Sequence, residues 1–493
     1  MLLELDLVYS YFLLTYLNSI FQIVKSQQSQ GQEWTWLGGD NNADQLTAKD
    51  YPGGRSGSTI WVQSETVYMF GGNGFSDIST GVPRVLNDFW LYDIATGKFK
   101  LLHPGSFTAN ATDSEMIEIP EGRHLAASCS YNETLFMFGG FGIGGKSLSD
   151  SWTYDLKHNK WTRLLNMSSA PSSRGHSGVW CYNSSLYLFG GLGDKIIYND
   201  LWVFNMLSLK WEEVYGLKNL TGLMGNLVYP MGRNGACTWV SNNVFYLFGG
   251  NSNPLFTYML QQSTGLMSDL WKYYPETKVW FYVSGPLFPG HKSVLNGIGT
   301  TVDSNLPGSR ISSASWTDSH GHLWLFGGAG NDDMQPDAYH TRSSKLLADL
   351  WRFHVKEEGW AFMGGSKSGD IQGKYDKLDA KKHTSHPGAR TEMMVWKLKP
   401  NRAVIFGGVG HDGKGIDGYL NDLWSVDFSE VTENDYLIST LSLLIFVGLG
   451  TFSLVMVLII LLCLRQPFSA TVRRLNMGHS AKYSRLINEE SMF

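Results

Sequence analysis

Two series of ionic side chains recur along this chain at regular spacing. The arginines are Arg55, Arg123, Arg174, Arg233, Arg310 and Arg390, and the aspartates are Asp88, Asp150, Asp200, Asp269, Asp349 and Asp422. Guanidinium and carboxylate groups in such numbers could grip an ionic ligand, or could bond one another and tie loops together. The second reading is preferred. Less regular candidates lie in the C-terminal half. Asn331, Asp332, Asp333 and Asp337 have the oxygens to coordinate a cation, yet read as a solvated loop. His411-Asp412-Gly413-Lys414-Gly415-Ile416-Asp417-Gly418 has a calcium-loop flavour, but Lys414 stands where an oxygen ligand is needed, so a plain turn is expected. His340, His383, His386 and His411 lack metal-ligand spacing and read as isolated surface histidines. No Ser-His-Asp set with a G-x-S-x-G elbow, no H-E-x-x-H and no P-loop is present. Catalytic residues, cofactors and metals are therefore not assigned. Asp332, Asp333, His340, His411 and Asp412 remain the candidate binding residues.

Stepping through the chain shows what positions these groups. Sixteen or 17 residues after each arginine comes a doublet: Gly71-Gly72, Gly139-Gly140, Gly190-Gly191, Gly249-Gly250, Gly327-Gly328 and Gly407-Gly408. Each doublet follows a Phe, and each aspartate begins an Asp-x-Trp triplet ending in Trp90, Trp152, Trp202, Trp271, Trp351 or Trp424. Nine residues past five of these tryptophans stands another aromatic: Phe99, Trp161, Trp211, Trp280 and Trp360. About four strands recur per unit, which is one propeller blade. The sixth unit has Glu433 at that position, so its fourth strand is missing at the C-terminal end. Trp34-Thr35-Trp36-Leu37-Gly38-Gly39 has the right pattern, and residues 33–37 are expected to complete the last blade and close the ring. Gly-Gly allows positive φ and close backbone approach, and the aromatics are expected to fill the wedges between blades.

These motifs over roughly residues 33–428 resemble kelch repeats: Arg, an apolar strand, Phe-Gly-Gly, a loop, Asp-x-Trp and a final aromatic. The resemblance implies an all-β, six-bladed kelch β-propeller of the galactose oxidase/kelch-like group. It does not select a function, since such propellers serve as enzymes, receptors and ligase adaptors. Some kelch enzymes are copper oxidases with a cysteine cross-linked to a tyrosine. Here Cys129, Cys181 and Cys237 fall in the first hairpins, which speaks against such a centre. They read as small buried residues of inner strands, with at least one free or paired between chains, and no disulfide framework is implied.

Outside the repeats two apolar segments bracket the chain. Residues 437–464 carry no charge and are long enough to cross a hydrocarbon core of ~30 Å as a single transmembrane helix. Arg465, Arg473, Arg474, Lys482 and Arg485 follow it, which by the positive-inside rule puts the tail in the cytoplasm and the propeller outside or in a lumen. Leu7 to Val24 reads as a signal-peptide core with cleavage after Ser26, although the segment before it carries Glu4 and Asp6 and no basic residue. The domain reading is signal peptide 1–26, propeller ectodomain 27–435, helix 436–464 and cytoplasmic tail 465–493. Tyr483 and Leu486 fit a YxxΦ sorting signal, and Cys463 is a palmitoylation candidate. Sequons stand at Asn110, Asn132, Asn166, Asn183 and Asn219, all in the first three units.

Length variation is confined to the connections that leave one face, and the longest are 251–267, 284–308, 329–346, 364–388 and 409–420, in units four to six. Loops on a rigid scaffold carry function. The expectation is a type I membrane protein that binds a protein or glycan on this face, kept free of glycans, in a recognition, adhesion or cargo role. A sorting adaptor on the tail is a possible partner. A net charge of −5 gives a nucleic-acid role no support. The alternatives are a saccharide-active enzyme such as a kelch-type sugar isomerase, or a membrane-tethered interaction adaptor with a cytosolic propeller. Paired acid and base groups in a pocket at the channel mouth would distinguish the enzyme.

Overall fold

The computed structural model describes residues 32–76, 81–105, 119–165, 167, 169–215, 229–252, 265–299, 301, 304–333, 344–379, 384–399 and 401–428. The segments read as signal peptide, transmembrane helix and tail lie outside the described residues, as do Asn110, Asn166, Asn219, Asp337, His340, His383, Cys463, Tyr483 and Leu486. Among the described residues no helix is long and apolar enough to cross a membrane. One 3-10 turn, Ile143–Gly145, interrupts an all-β architecture.

Each repeat folds as a four-stranded antiparallel meander. Blade four shows the pattern in Cys237–Ser241, Val244–Phe248, Leu270–Tyr274 and Val279–Ser284, paired in sequence order. The first strands of the six blades are Thr59–Gln63, Ala127–Tyr131, Gly178–Tyr182, Cys237–Ser241, Ala314–Thr317 and Met394–Lys399. Each touches its counterpart in the next blade, and the sixth touches the first, so the six blades form a closed ring. In blade six the fourth strand is Glu33–Gly38, antiparallel to Asp417–Asp427 with Glu33 opposite Asp427 and Trp36 opposite Trp424. The strand expected from Trp34 is thus in place, and it spares blade six an open edge.

Six separate apolar clusters hold the ring together, one at each blade interface. A single contact repeats in all of them: the fourth-strand aromatic packs on the Phe that precedes Gly-Gly in the preceding blade. The pairs are Trp161 on Phe70, Trp211 on Phe138, Trp280 on Phe189, Trp360 on Phe248, Trp34 on Phe326 and Phe99 on Phe406, with centroids 4.7–5.5 Å apart. Such tilted or edge-on ring pairs add to the large area these side chains bury.

The Asp-x-Trp tryptophan has a different task. Its Nε1 donates to its own aspartate at 2.6–2.7 Å in every blade. The same carboxylate accepts both terminal nitrogens of the repeat arginine at 2.5–2.9 Å. Nη1 also donates to the carbonyl of the first doublet glycine, and Nε to the carbonyl two residues before the arginine. All six arginines are at most 1% exposed. At least four of the five N–H donors of each are engaged within the knot, as the structural reading of the series requires. The doublets show why glycine stands there. Gly407 has φ +61, and a Cβ on it would lie 2.7 Å from the carbonyl oxygen of Arg55 in the next blade.

A second ring surrounds the channel on the long-loop face. The residue two past each arginine is Gly57, Leu125, His176, Gly235, Ser312 or Glu392, and each has φ between +53 and +64. Each N–H donates to the carbonyl of the equivalent residue in the preceding blade at 2.7–3.1 Å, and Gly57 donates to Glu392 to close the circle.

The cysteines depart from expectation. Cys129 and Cys181 form a disulfide between the first strands of blades two and three, with Cα atoms 5.7 Å apart. Cys129 and Cys237 are buried as expected, but Cys181 lies on an outward-facing position of its strand. Cys237 is free, and burial pushes its thiol up to about 11.

Candidate functional site

The long connections around blades five and six are built before they are available for binding. Residues ahead of blade five fold down onto its outer strand: Gly299 donates to Phe362 at 2.7 Å, and Thr301 bridges Ala361. Ahead of blade six, Asp379 donates to the carbonyl of Trp36 at 3.0 Å. Part of the extra length therefore covers sheet edges. What remains encloses a cleft of about 1220 Å³ between blades five and six.

The floor of this cleft is apolar, made by Trp34, Phe326 and Leu350, with Gly364 and Gly365 beside them. The wall from the 364–388 connection supplies Asp370, Gln372, Lys374 and His386, and blade six supplies His411 and Gly415. His411 stands between two carboxylates, with Nδ1 2.8 Å from Asp417 and Nε2 3.6 Å from Asp370. It links the hairpin of blade six to the opposite wall. Lys345 approaches both Asp370 and Asp332, at 3.9 and 3.7 Å. An apolar floor with a few polar groups at its edge is the usual form of a recognition cleft.

The candidate binding residues divide. His411 lines the cleft. Asp412 does not: it is 1% exposed and accepts the N–H groups of Ala43, Lys414 and Ile416 at 2.7–3.1 Å. Burial opposes its ionisation, but the backbone donors of Ile416, Ala43 and Lys414 prevail and hold its carboxyl below the usual range. It braces the turn against the segment after the closing strand. Asp332 is 2% exposed and accepts from the N–H of Gly369 at 2.8 Å, so it too anchors a connection. Asp333 donates its N–H to Lys367 and is half-buried beside it. Among the described residues no group of three or more His, Cys, Asp or Glu is arranged to hold a metal ion. Sequence reasoning missed Gln372, Lys374 and His386 as a wall. Their position follows from how the connection folds back on the cleft, and no residue spacing encodes that.

Two groups at the channel mouth have shifted acid–base behaviour. Burial raises the carboxyl of Glu392, and burial together with His124 lowers His176 to about 4. They stand three places apart in the six-membered backbone ring and bond different hydroxyls. Ser56 donates to Glu392 at 2.9 Å, and Ser312 lies 2.9 Å from His176 Nε2. Among the described residues lining the blade five–six cleft, Asp370 is the one carboxylate.

Asn132 and Asn183, the two described sequon asparagines, sit exposed at equivalent hairpin turns with φ +50 and +46.

With known proteins the similarity lies in the repeats. Residues 106–289 match the KLHDC2/KLHL20/DRC7 Kelch-repeats domain. An F-box/kelch-repeat protein of Arabidopsis thaliana is 27% identical over 175 residues, covering 33% of this chain and 34% of its own. Human Kelch domain-containing protein 1 is 28% identical over 147 residues, 28% of this chain and 34% of its own. Rat Host cell factor 1 is 22% identical over 262 residues, 48% of this chain and 12% of its own. The chain thus spans about a third or less of the length of these relatives. The matches support the kelch-repeat assignment.

Proposed function

We propose that this kelch-repeat chain is a type I membrane protein whose propeller binds a protein or glycan ligand in the cleft between blades five and six. The observation that carries the binding part is the cleft itself: an apolar floor at Trp34, Phe326 and Leu350, walled by polar groups on the face with the long connections. The topology rests on other grounds. The uncharged stretch 437–464 and the basic residues after it suit one span with a cytoplasmic tail. The Cys129–Cys181 disulfide supports a propeller in an oxidising space, because such bonds are rare in the cytosol. Exposed turns at Asn132 and Asn183 suit glycans on the side away from blades five and six. Tyr483 and Leu486 would then face a sorting adaptor.

The test uses the full chain in cell membranes. In sealed microsomes, protease should remove a tag on the C-terminal tail and leave a tag on the propeller shielded; a digested propeller tag overturns the topology. A screen of the displayed chain against glycans and cell-surface proteins should give a ligand whose binding falls at least tenfold in Lys374→Ala and His386→Ala. Unchanged binding in both variants rules out the cleft.

A further inference from the structure

Every buried aspartate of the six knots has an arginine on it. Glu392 does not. Its carboxylate sits at the channel mouth on the long-loop face, where the Ser56 hydroxyl donates to Oε2 at 2.9 Å. Among the described residues no Lys, Arg or His forms an ion pair with it. The residue is held in the ring by its own N–H on Ser312 and its carbonyl on Gly57, and it is half-buried rather than sealed from solvent. A carboxylate in that setting is poorly solvated, and buried charges are ordinarily paired.

We propose that the channel mouth is a second binding site, in which Glu392 takes an ammonium group presented by a ligand. Ser56 donates to Oε2. An ammonium is a compact point charge that one carboxylate oxygen can hold, without the paired, in-plane approach that a guanidinium fork needs. The site is rigid. The backbone ring fixes Glu392 in the left-handed region at φ +53, and Thr391 Oγ1 donates to the Ser312 carbonyl at 3.3 Å beside it. The ammonium can come from a lysine side chain or from a chain amino terminus. This site is distinct from the blade five–six cleft and does not depend on the cleft's being the ligand site.

The experiment titrates purified full-length protein with three short peptides: an end-blocked peptide with one lysine, the same peptide with norleucine, and an end-blocked-at-C, free-amine glycine peptide. We expect the lysine peptide, the free-amine peptide or both to bind at one site, at least tenfold tighter than the norleucine peptide. Which of the two binds identifies the source of the ammonium. Glu392→Gln should remove that preference, and Ser56→Ala should weaken it several-fold. His386→Ala in the cleft should leave it unchanged, so failure of one site is separable from failure of the other. Equal affinity of charged and neutral peptides for the wild-type protein overturns the proposal without recourse to any variant. Full binding by a folded Glu392→Gln protein overturns it as well.

Discussion

The knots and the channel mouth treat the same problem in opposite ways. In each knot a buried carboxylate is well satisfied: two arginine nitrogens and a tryptophan N–H converge on it, and the arginine gives two further donors to carbonyls. At the channel mouth Glu392 has one hydroxyl. Groups so engaged have little left to offer a ligand, so repetition in a sequence marks scaffold. The group that departs from the repeat, at a position the repeat makes rigid, is the one left with unspent capacity.

The comparison can be broken most forcefully at the knots themselves. In blade six Arg390 and Asp422 are both 0% exposed, whereas in blade three Asp200 is 15% exposed. Arg390→Ala strands a buried charge and should cost about 3–5 kcal/mol in chemical denaturation. Arg174→Ala should cost clearly less, because water can reach Asp200. Equal losses would mean that solvent access does not set the value of a knot. Next in size is the disulfide. Cys181→Ser, measured under non-reducing conditions, should lower stability by about 2–4 kcal/mol, and reduction of the wild type should reproduce that loss. A variant as stable as the wild type would leave the Cys129–Cys181 bond without a structural role.

His176 sharpens the comparison from the acid side. Its imidazole is lowered by burial and by His124 to about 4, against an ordinary value near 6.5 in the unfolded chain. Between those values the unfolded state binds more protons, so stability is full above pH ~6.5 and is lost as pH falls toward ~4. His176→Gln should flatten this limb by roughly 2 kcal/mol, allowing for solvent in the channel. An unchanged acid profile would show that another group governs it. The smallest effect is expected at the surface. Lys272 and Glu358 pair at 2.7 Å across blades four and five, but Glu358 is 52% exposed. Lys272→Met should change stability by less than about 1 kcal/mol. A loss as large as that of a knot would erase the distinction between well-satisfied interior pairs and solvated ones.

The scaffold was legible because its residue types repeat with its geometry. Arg, Gly-Gly and Asp-x-Trp are each demanded by a contact made six times, and Trp34 could be matched to the missing fourth aromatic for the same reason. The channel ring was not legible, since its contacts are backbone to backbone and the side chain is free to differ: Gly, Leu, His, Gly, Ser and Glu occupy the six places. The cysteine pair was hidden for a related reason. Cys129 and Cys181 are 52 residues apart and meet only through the lateral register of neighbouring blades. Asp332 and Asp412 looked like ligands because their sequence shows carboxylates in loops. Only the folded chain reveals the N–H groups that consume them.

The clasp of Glu33–Gly38 on Asp417–Asp427 also imposes an order on biosynthesis. The strand Glu33–Gly38, the earliest made among the described residues, has no partner until the last blade has been made, so Trp34 must wait for its place while five blades assemble. Until then Phe326 and its neighbours in blade five lack their lid as well. A nascent chain stalled before residue 427 therefore displays two matching sticky surfaces at once.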